Sequence, residues 1–195
     1  MIIYILFSIT LGIEGGFFEL KGKDVVSPSF GPSFGIFCDF PLIPNLSYTL
    51  SLQKGSGGAS TRTAAIFYDS LGVGTVLSGV VGEEFKYNKG ILSTNWLPFS
   101  KIISPSLSLR LGLISWSFVS EKEIAKSLNG NEFKKISLFI GGGGGVRSNL
   151  FGFLLSIEAF ADFIFSEDKD WETGFGNYDD NEWSTELTFR VGKQF

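Results

Sequence analysis

Glu182-Trp-Ser-Thr-Glu-Leu-Thr-Phe-Arg-Val-Gly-Lys-Gln-Phe195 decides the fold. Its odd positions are Trp183, Thr185, Leu187, Phe189, Val191, Lys193 and Phe195; its even positions are Glu182, Ser184, Glu186, Thr188, Arg190, Gly192 and Gln194. Successive side chains of a strand point to opposite faces, so this alternation describes a strand with one apolar and one polar face. The strand runs to the terminal aromatic residue, where a soluble domain more often ends in a frayed polar tail.

The rest of the chain repeats this pattern. Of 195 residues, 44% are hydrophobic and only 18% charged, below the quarter or so usual for soluble domains. Beyond the N-terminus no segment approaches the ~20 apolar residues of a helical span. The apolar residues are therefore dispersed in alternation, which suits a barrel in lipid or a packed soluble β-protein. A net charge of −4 argues against nucleic acid as a partner. A single cysteine, Cys38, excludes an internal disulfide, and there is no histidine.

Residues 1–15 read as a secretory leader, whose apolar run ends near Ile13. No Lys or Arg precedes the run and no Ala-x-Ala site follows it; cleavage is expected between Gly12 and Gly16, and the alternative is a buried strand. Residues 16–195 are expected to form one barrel domain. In 16–23, Phe18 and Leu20 share a face opposite Glu19, Lys21 and Lys23. In 32–40, Phe34, Ile36, Cys38 and Phe40 oppose Ser33, Gly35, Phe37 and Asp39. Cys38 thus falls among apolar residues and reads as a small packing side chain, not a reactive thiol. Leu46, Tyr48, Leu50 and Leu52 alternate cleanly with Ser47, Thr49, Ser51 and Gln53.

Residues 64–82 are apolar without alternation and are broken by glycines; an extra hairpin, a loop over the barrel mouth or a small helix would each fit. Residues 84–97 return to a strand of uncertain register, with Trp96 suited to an interfacial aromatic belt. Leu107, Leu109, Leu111 and Leu113 oppose Ser106, Ser108 and Arg110. Residues 133–147 carry Ile136, Leu138, Ile140 and Val146 on one face, and 147–149 are expected to turn. Residues 150–165 place eight apolar side chains opposite Gly152, Ser156, Glu158 and Asp162.

With 64–82 taken as loop, the pattern predicts an all-β, antiparallel up-and-down transmembrane barrel of eight strands, or ten if that segment enters the wall. The connections 24–31, 54–83, 119–132 and 166–181 are long, and 41–45, 98–105 and 147–149 are short. Outer-membrane barrels show this asymmetry between external loops and periplasmic turns. A lipocalin-like soluble barrel would instead turn its charged face outward.

Glu19, Lys21, Arg110, Glu158, Asp162, Glu186 and Arg190 are expected to form an interior network, since charges inside a small barrel must pair. Glu158 and Asp162 lie about 13 Å apart along a strand, too far for a glycosidase pair. Gly141–Gly145 lacks the Lys-Ser/Thr and helix of a phosphate loop and reads as wall glycines that admit bulky neighbours. The acidic loop 166–181 lacks the ordered spacing of a calcium loop. No metal or cofactor is expected.

Phe-Gly-Pro-Ser-Phe-Gly-Ile-Phe (30–37), Ile-Ser-Pro-Ser-Leu-Ser-Leu-Arg-Leu-Gly (103–112) and the closing strand resemble the small outer-membrane barrel domains of the OmpA/OmpX/OmpW-like group. That resemblance implies a bacterial outer-membrane location, membrane lipid as partner, and recognition of Phe195 by the barrel assembly machinery. Lys193, on the lipid-facing parity, departs from the pattern but can snorkel at the membrane edge. The small-barrel enzymes of that membrane generally use a histidine base, which this chain lacks. The function expected is therefore non-enzymatic: a structural role, or interaction through loops 54–83, 119–132 and 166–181. The alternatives are a narrow channel or carrier for small apolar molecules, and a soluble periplasmic ligand-binding barrel.

Overall fold

A computed structural model describes residues 8–22, 25–43, 45–99, 102–126, 130, 132–166 and 181–195, and for 63–67 and 76 the backbone only. Alternation produces strands throughout, and no helix occurs among the described residues. Eight strands make the wall: β1 (Thr10–Lys21), β2 (Gly31–Ile43), β3 (Leu46–Gly58), β4 (Glu84–Trp96), β5 (Ile103–Ser120), β6 (Lys134–Leu150), β7 (Phe153–Phe165) and β8 (Glu182–Gln194). Each pairs antiparallel with its neighbour in sequence. The closing strand β8 pairs with β1 from Thr10↔Gln194 to Lys21↔Trp183, so the sheet has no free edge.

The outer face is apolar where lipid would lie. Ile13, Leu109 and Ile136 are 68%, 73% and 68% exposed, while Arg110, Glu158 and Arg190 are at most 1% exposed. Water around such a surface would face an apolar patch far larger than a soluble monomer carries. The protein is an eight-stranded antiparallel transmembrane β-barrel.

Three expectations change, and one open choice is decided. The wall begins at Thr10 rather than Gly16: residues 10–15, assigned above to a leader, continue β1, with Leu11 and Ile13 outward and Glu14 inward. The apolar run concealed this alternation; residues 1–7 lie outside the described residues. The turn expected at 147–149 lies instead at Phe151-Gly152, where both residues have positive φ (51° and 80°). That is the geometry of a type I′ hairpin turn, which usually recruits Asn or Asp before Gly, so Phe151 gave no signal. Of the readings left open for residues 64–82 the extra hairpin is the one formed, outside the wall: Ser60–Tyr68 and Gly74–Val81 pair with each other and, through the first of them, with Val25–Val26 in a separate three-stranded sheet. The wall count is therefore eight, not ten. The third change concerns Glu19 and Lys21 and follows from the interior.

Candidate functional site: a sealed interior below an external hairpin

The interior has two layers. At the end with long connections it is aromatic. Phe18, Phe85, Tyr87, Trp116 and Phe118 line the inner wall, and Phe133 and Ala125 close over them from the 121–133 connection. Their ring centroids lie 4.2–6.3 Å apart in tilted, stacked and edge-on pairs, the spacing that favours aromatic quadrupoles. Phe118 donates its N–H to the Phe133 carbonyl (3.0 Å), and Ala125 donates to the Phe118 carbonyl (2.8 Å), so the loop is tied to the cluster it covers.

This layer reverses the parity expected for β1. Phe18 and Leu20 point inward, so Glu19 and Lys21 are on the outer face, paired with each other (Lys21 Nζ to Glu19 Oε2, 2.8 Å). Thr185, also outward, donates to Glu19 at 3.4 Å. Neither residue reaches the interior network. The rule that polar residues face inward fails here because the inner face at this end is a packed apolar core.

Below the aromatics lie two ionic clusters. In the upper one Arg110 makes a bidentate contact with Asp162 (Nε–Oδ1 2.5 Å, Nη2–Oδ2 2.6 Å) and reaches Glu186 at 2.9 Å. Lys89 donates to Asp162 at 2.9 Å and lies 3.5 Å from Glu186; its Nζ also lies 4.7 Å from the Phe18 ring centroid, linking the two layers. In the lower cluster Arg190 bridges Glu14 (2.7 Å) and Glu158 (2.6 Å), and Arg147 bridges Glu158 (3.1 Å) and Asp39 (3.2 Å). Hydroxyls fill further acceptor positions: Ser106 and Ser156 donate to Glu158 at 3.0 and 3.2 Å, and Ser47 and Thr49 to Asp39 at 3.1 and 2.5 Å. The structure thus brings together Arg110, Glu158, Asp162, Glu186 and Arg190, and adds Glu14, Asp39, Lys89 and Arg147.

Each addition escaped the sequence for a definite reason. Glu14 lies within the apolar N-terminal run, Arg147 in the stretch that the sequence marks as a turn, and Lys89 in a strand whose pattern defines no register. Asp39 lay on the correct face, and only its partner Arg147 was missing.

Phe160 divides the clusters, its ring centroid 4.0 Å from Arg110 Cζ and 5.8 Å from Arg190 Cζ. The glycine run makes room for it. A Cβ on Gly143 would stand 2.5 Å from Phe160 Cδ1, and one on Gly141 would stand 2.0 Å from Asp162 Oδ1. The inward glycines of β6 are therefore the counterpart of the bulky inner face of β7.

Chemically, this interior pairs charges instead of exposing them. Glu14, Asp39, Glu158, Asp162 and Glu186 each meet a Lys or Arg. A cavity of about 310 Å³ opens at the short-turn end and is lined by Thr10, Asp39, Ser47 and Arg147. It ends against the lower cluster. No cluster of metal-ligand residues occurs among the described residues. The proposed acidic loop falls largely on 167–180, outside the described residues. Phe195 is exposed on the outer face and donates its N–H to the Ile9 carbonyl (2.9 Å); the Lys193 ammonium lies 5.4 Å from its ring centroid.

Beyond the aromatic end, the 60–81 hairpin continues the line of β3 and β4. Asp69 builds its tip: its Oδ1 accepts from Leu71 and Val73 N–H (both 2.8 Å), and its carbonyl accepts from Gly72 N–H (3.0 Å), where φ is 75°. Tyr68, Leu71, Val73, Leu77 and Val80 are exposed on it.

The fold is that of solved small outer-membrane barrels. Neisserial surface protein A aligns with 96% of this chain and 97% of its own, at a TM-score of 0.62 and 15% identity. The N-terminal β-barrel domain of Pseudomonas aeruginosa OprF aligns with 94% of this chain and 97% of its own (TM-score 0.43, 12% identity). Ail, the attachment invasion locus protein of Yersinia pestis, solved with the heparin analogue sucrose octasulfate, aligns with 96% of this chain and 99% of its own (TM-score 0.41, 15% identity). No family model matches the chain, and no curated protein matches it.

Proposed function

We propose that this chain is a non-enzymatic, non-conducting protein of the bacterial outer membrane whose barrel displays the 60–81 hairpin for interaction with an external partner. The observation that carries this reading is the doubly filled interior. Among the described residues an aromatic layer and a paired ionic layer fill the interior, which favours the surface outside the membrane as the place where the chain acts. An eight-stranded barrel is narrow enough for its own side chains to fill. The hairpin supports the second half of the reading, because it turns Tyr68, Leu71 and Val73 to solvent on a turn that Asp69 holds in shape.

The test combines topology with conductance. In a Cys38→Ala background, Ser78→Cys on the exposed hairpin is expected to react with a membrane-impermeant maleimide on intact cells. The purified protein is expected to be silent in planar bilayers, as is Arg110→Ala where it folds. Steady conductance from the wild type would favour a channel. Recovery in the soluble fraction without detergent would defeat the membrane location.

A further inference from the structure

The outer face of β3–β5 carries a groove that the filled interior does not explain. Gly90 of β4 points outward between Leu52 and Leu113, its register partners on either side. A Cβ there would meet only Leu52 Cδ2, at 3.8 Å. The missing side chain leaves adjoining depressions of about 580 and 650 Å³ with an almost wholly apolar lining. The upper one runs, past Asn88 and Ser115, into a third of about 480 Å³ lined by Lys54, Lys86 and Lys134. From Leu50 to Ser56 this path covers about 20 Å along β3, the reach of one extended fatty-acyl chain.

The groove is therefore graded from apolar to cationic, and its cationic end lies where the outer face changes from Leu52, Leu113 and Ile136 to Lys54, Ser117 and Lys134. That change marks the boundary between hydrocarbon and headgroups. Lys86 is paired with Glu84 (3.1 Å) and Lys134 with Glu132, whereas Lys54 has no acidic partner among the described residues. Three ammonium groups against two carboxylates leave a formal charge of +1 at the mouth.

We infer that this groove binds one phosphate-bearing lipid of the leaflet at the loop end, with an acyl chain over Gly90 and the phosphate against Lys54, Lys86 and Lys134. Charge complementarity selects this occupant: a neutral lipid would leave the mouth unused, and a second copy of the barrel would have to supply an acidic patch at the same height. The inference rests on the membrane reading above.

The experiment uses the full chain in nanodiscs of equal parts phosphatidylglycerol and phosphatidylcholine, released for native mass spectrometry, with heat-modifiable gel mobility as a check of folding. The wild type is expected to retain one phosphatidylglycerol in preference to phosphatidylcholine by about fivefold or more, the effect of one basic residue at an anionic surface. Lys54→Gln is expected to lose about fivefold of that preference, and Gly90→Leu to lose the retained lipid while staying folded. Equal retention of the two lipids, displacement by inorganic phosphate, or a lipid-free dimer would each overturn the inference. So would unchanged retention in folded Gly90→Leu, and Lys54→Gln decides should Gly90→Leu not fold. A chain that never enters nanodiscs would overturn the membrane reading itself.

Discussion

The two ends of the barrel reverse each other's chemistry. At the short-turn end and through the middle, the inner face holds Glu14, Asp39, Arg110, Arg147, Glu158 and Arg190, and the outer face holds leucines, isoleucines and phenylalanines. At the loop end of β1–β6 the inner face holds Phe18, Phe85, Tyr87, Trp116 and Phe118, and the outer face holds Glu19, Lys21, Lys54, Lys86, Ser117 and Lys134. The first arrangement suits a wall in hydrocarbon, the second a wall in water. One set of strands passes through both, and the line of reversal, between Leu52 and Lys54 on β3 and between Leu113 and Ser115 on β5, gives the level of the membrane surface.

Substitutions on either side of that line should differ sharply. Gly143→Leu has the largest expected effect. Its side chain would collide with Phe160 and with the Ala159 carbonyl, which lies 2.1 Å from the position of a Cβ. Neither can yield, because Phe160 is packed between the two ionic clusters. The heat-modifiable folded form should be absent on gels. Arg110→Ala comes next. It leaves Asp162 and Glu186 facing Lys89 alone in a buried site, at a cost of about 3–5 kcal/mol, read as a lower urea midpoint in micelles. Leu109→Lys places a charge on the outer face below the line and should cost about 2–4 kcal/mol in bilayers. Ser115→Lys makes a comparable change three turns of alternation higher, above the line, and should stay within about 0.5 kcal/mol of the wild type. Equal costs for the two lysines would remove the distinction between the ends.

The same reversal explains what could be read from the sequence. Where one rule holds along a strand, alternation was sufficient: β5 from Ser106 to Leu113 and β7 from Phe153 to Phe165 have the faces their sequences predict. β8 likewise places Glu186 and Arg190 inside and Phe189 and Val191 outside. Where a strand crosses the line, alternation persists but its meaning inverts. β4 carries Phe85 and Tyr87 inside above Lys89, Ser93 and Asn95, also inside, so no single apolar face exists to fix the register. β1 does the same with Phe18 and Leu20 above Glu14, which is why Glu19 and Lys21 read as interior residues. The hairpin could not be chosen over a loop or a helix for another reason. Its shape depends on Asp69 accepting three backbone bonds at the tip and on pairing with Val25–Val26, a contact some 35 residues distant in sequence. The charge network was half visible, because its pairs join residues as remote in sequence as Glu14 and Arg190, which face each other only once β8 closes onto β1.

The most direct measurement is a depth scan along β5. Nitroxides placed singly at Leu107, Leu109, Leu111, Leu113, Ser115 and Ser117, in a Cys38→Ala background in bilayers, report oxygen and aqueous nickel-chelate accessibility at each position. The reversal predicts oxygen-favoured relaxation from Leu107 to Leu113 and a switch to nickel access at Ser115 and Ser117. Nickel access at Leu109 and Leu111 equal to that at Ser117 would contradict it, since the apolar face of the barrel would then be in water.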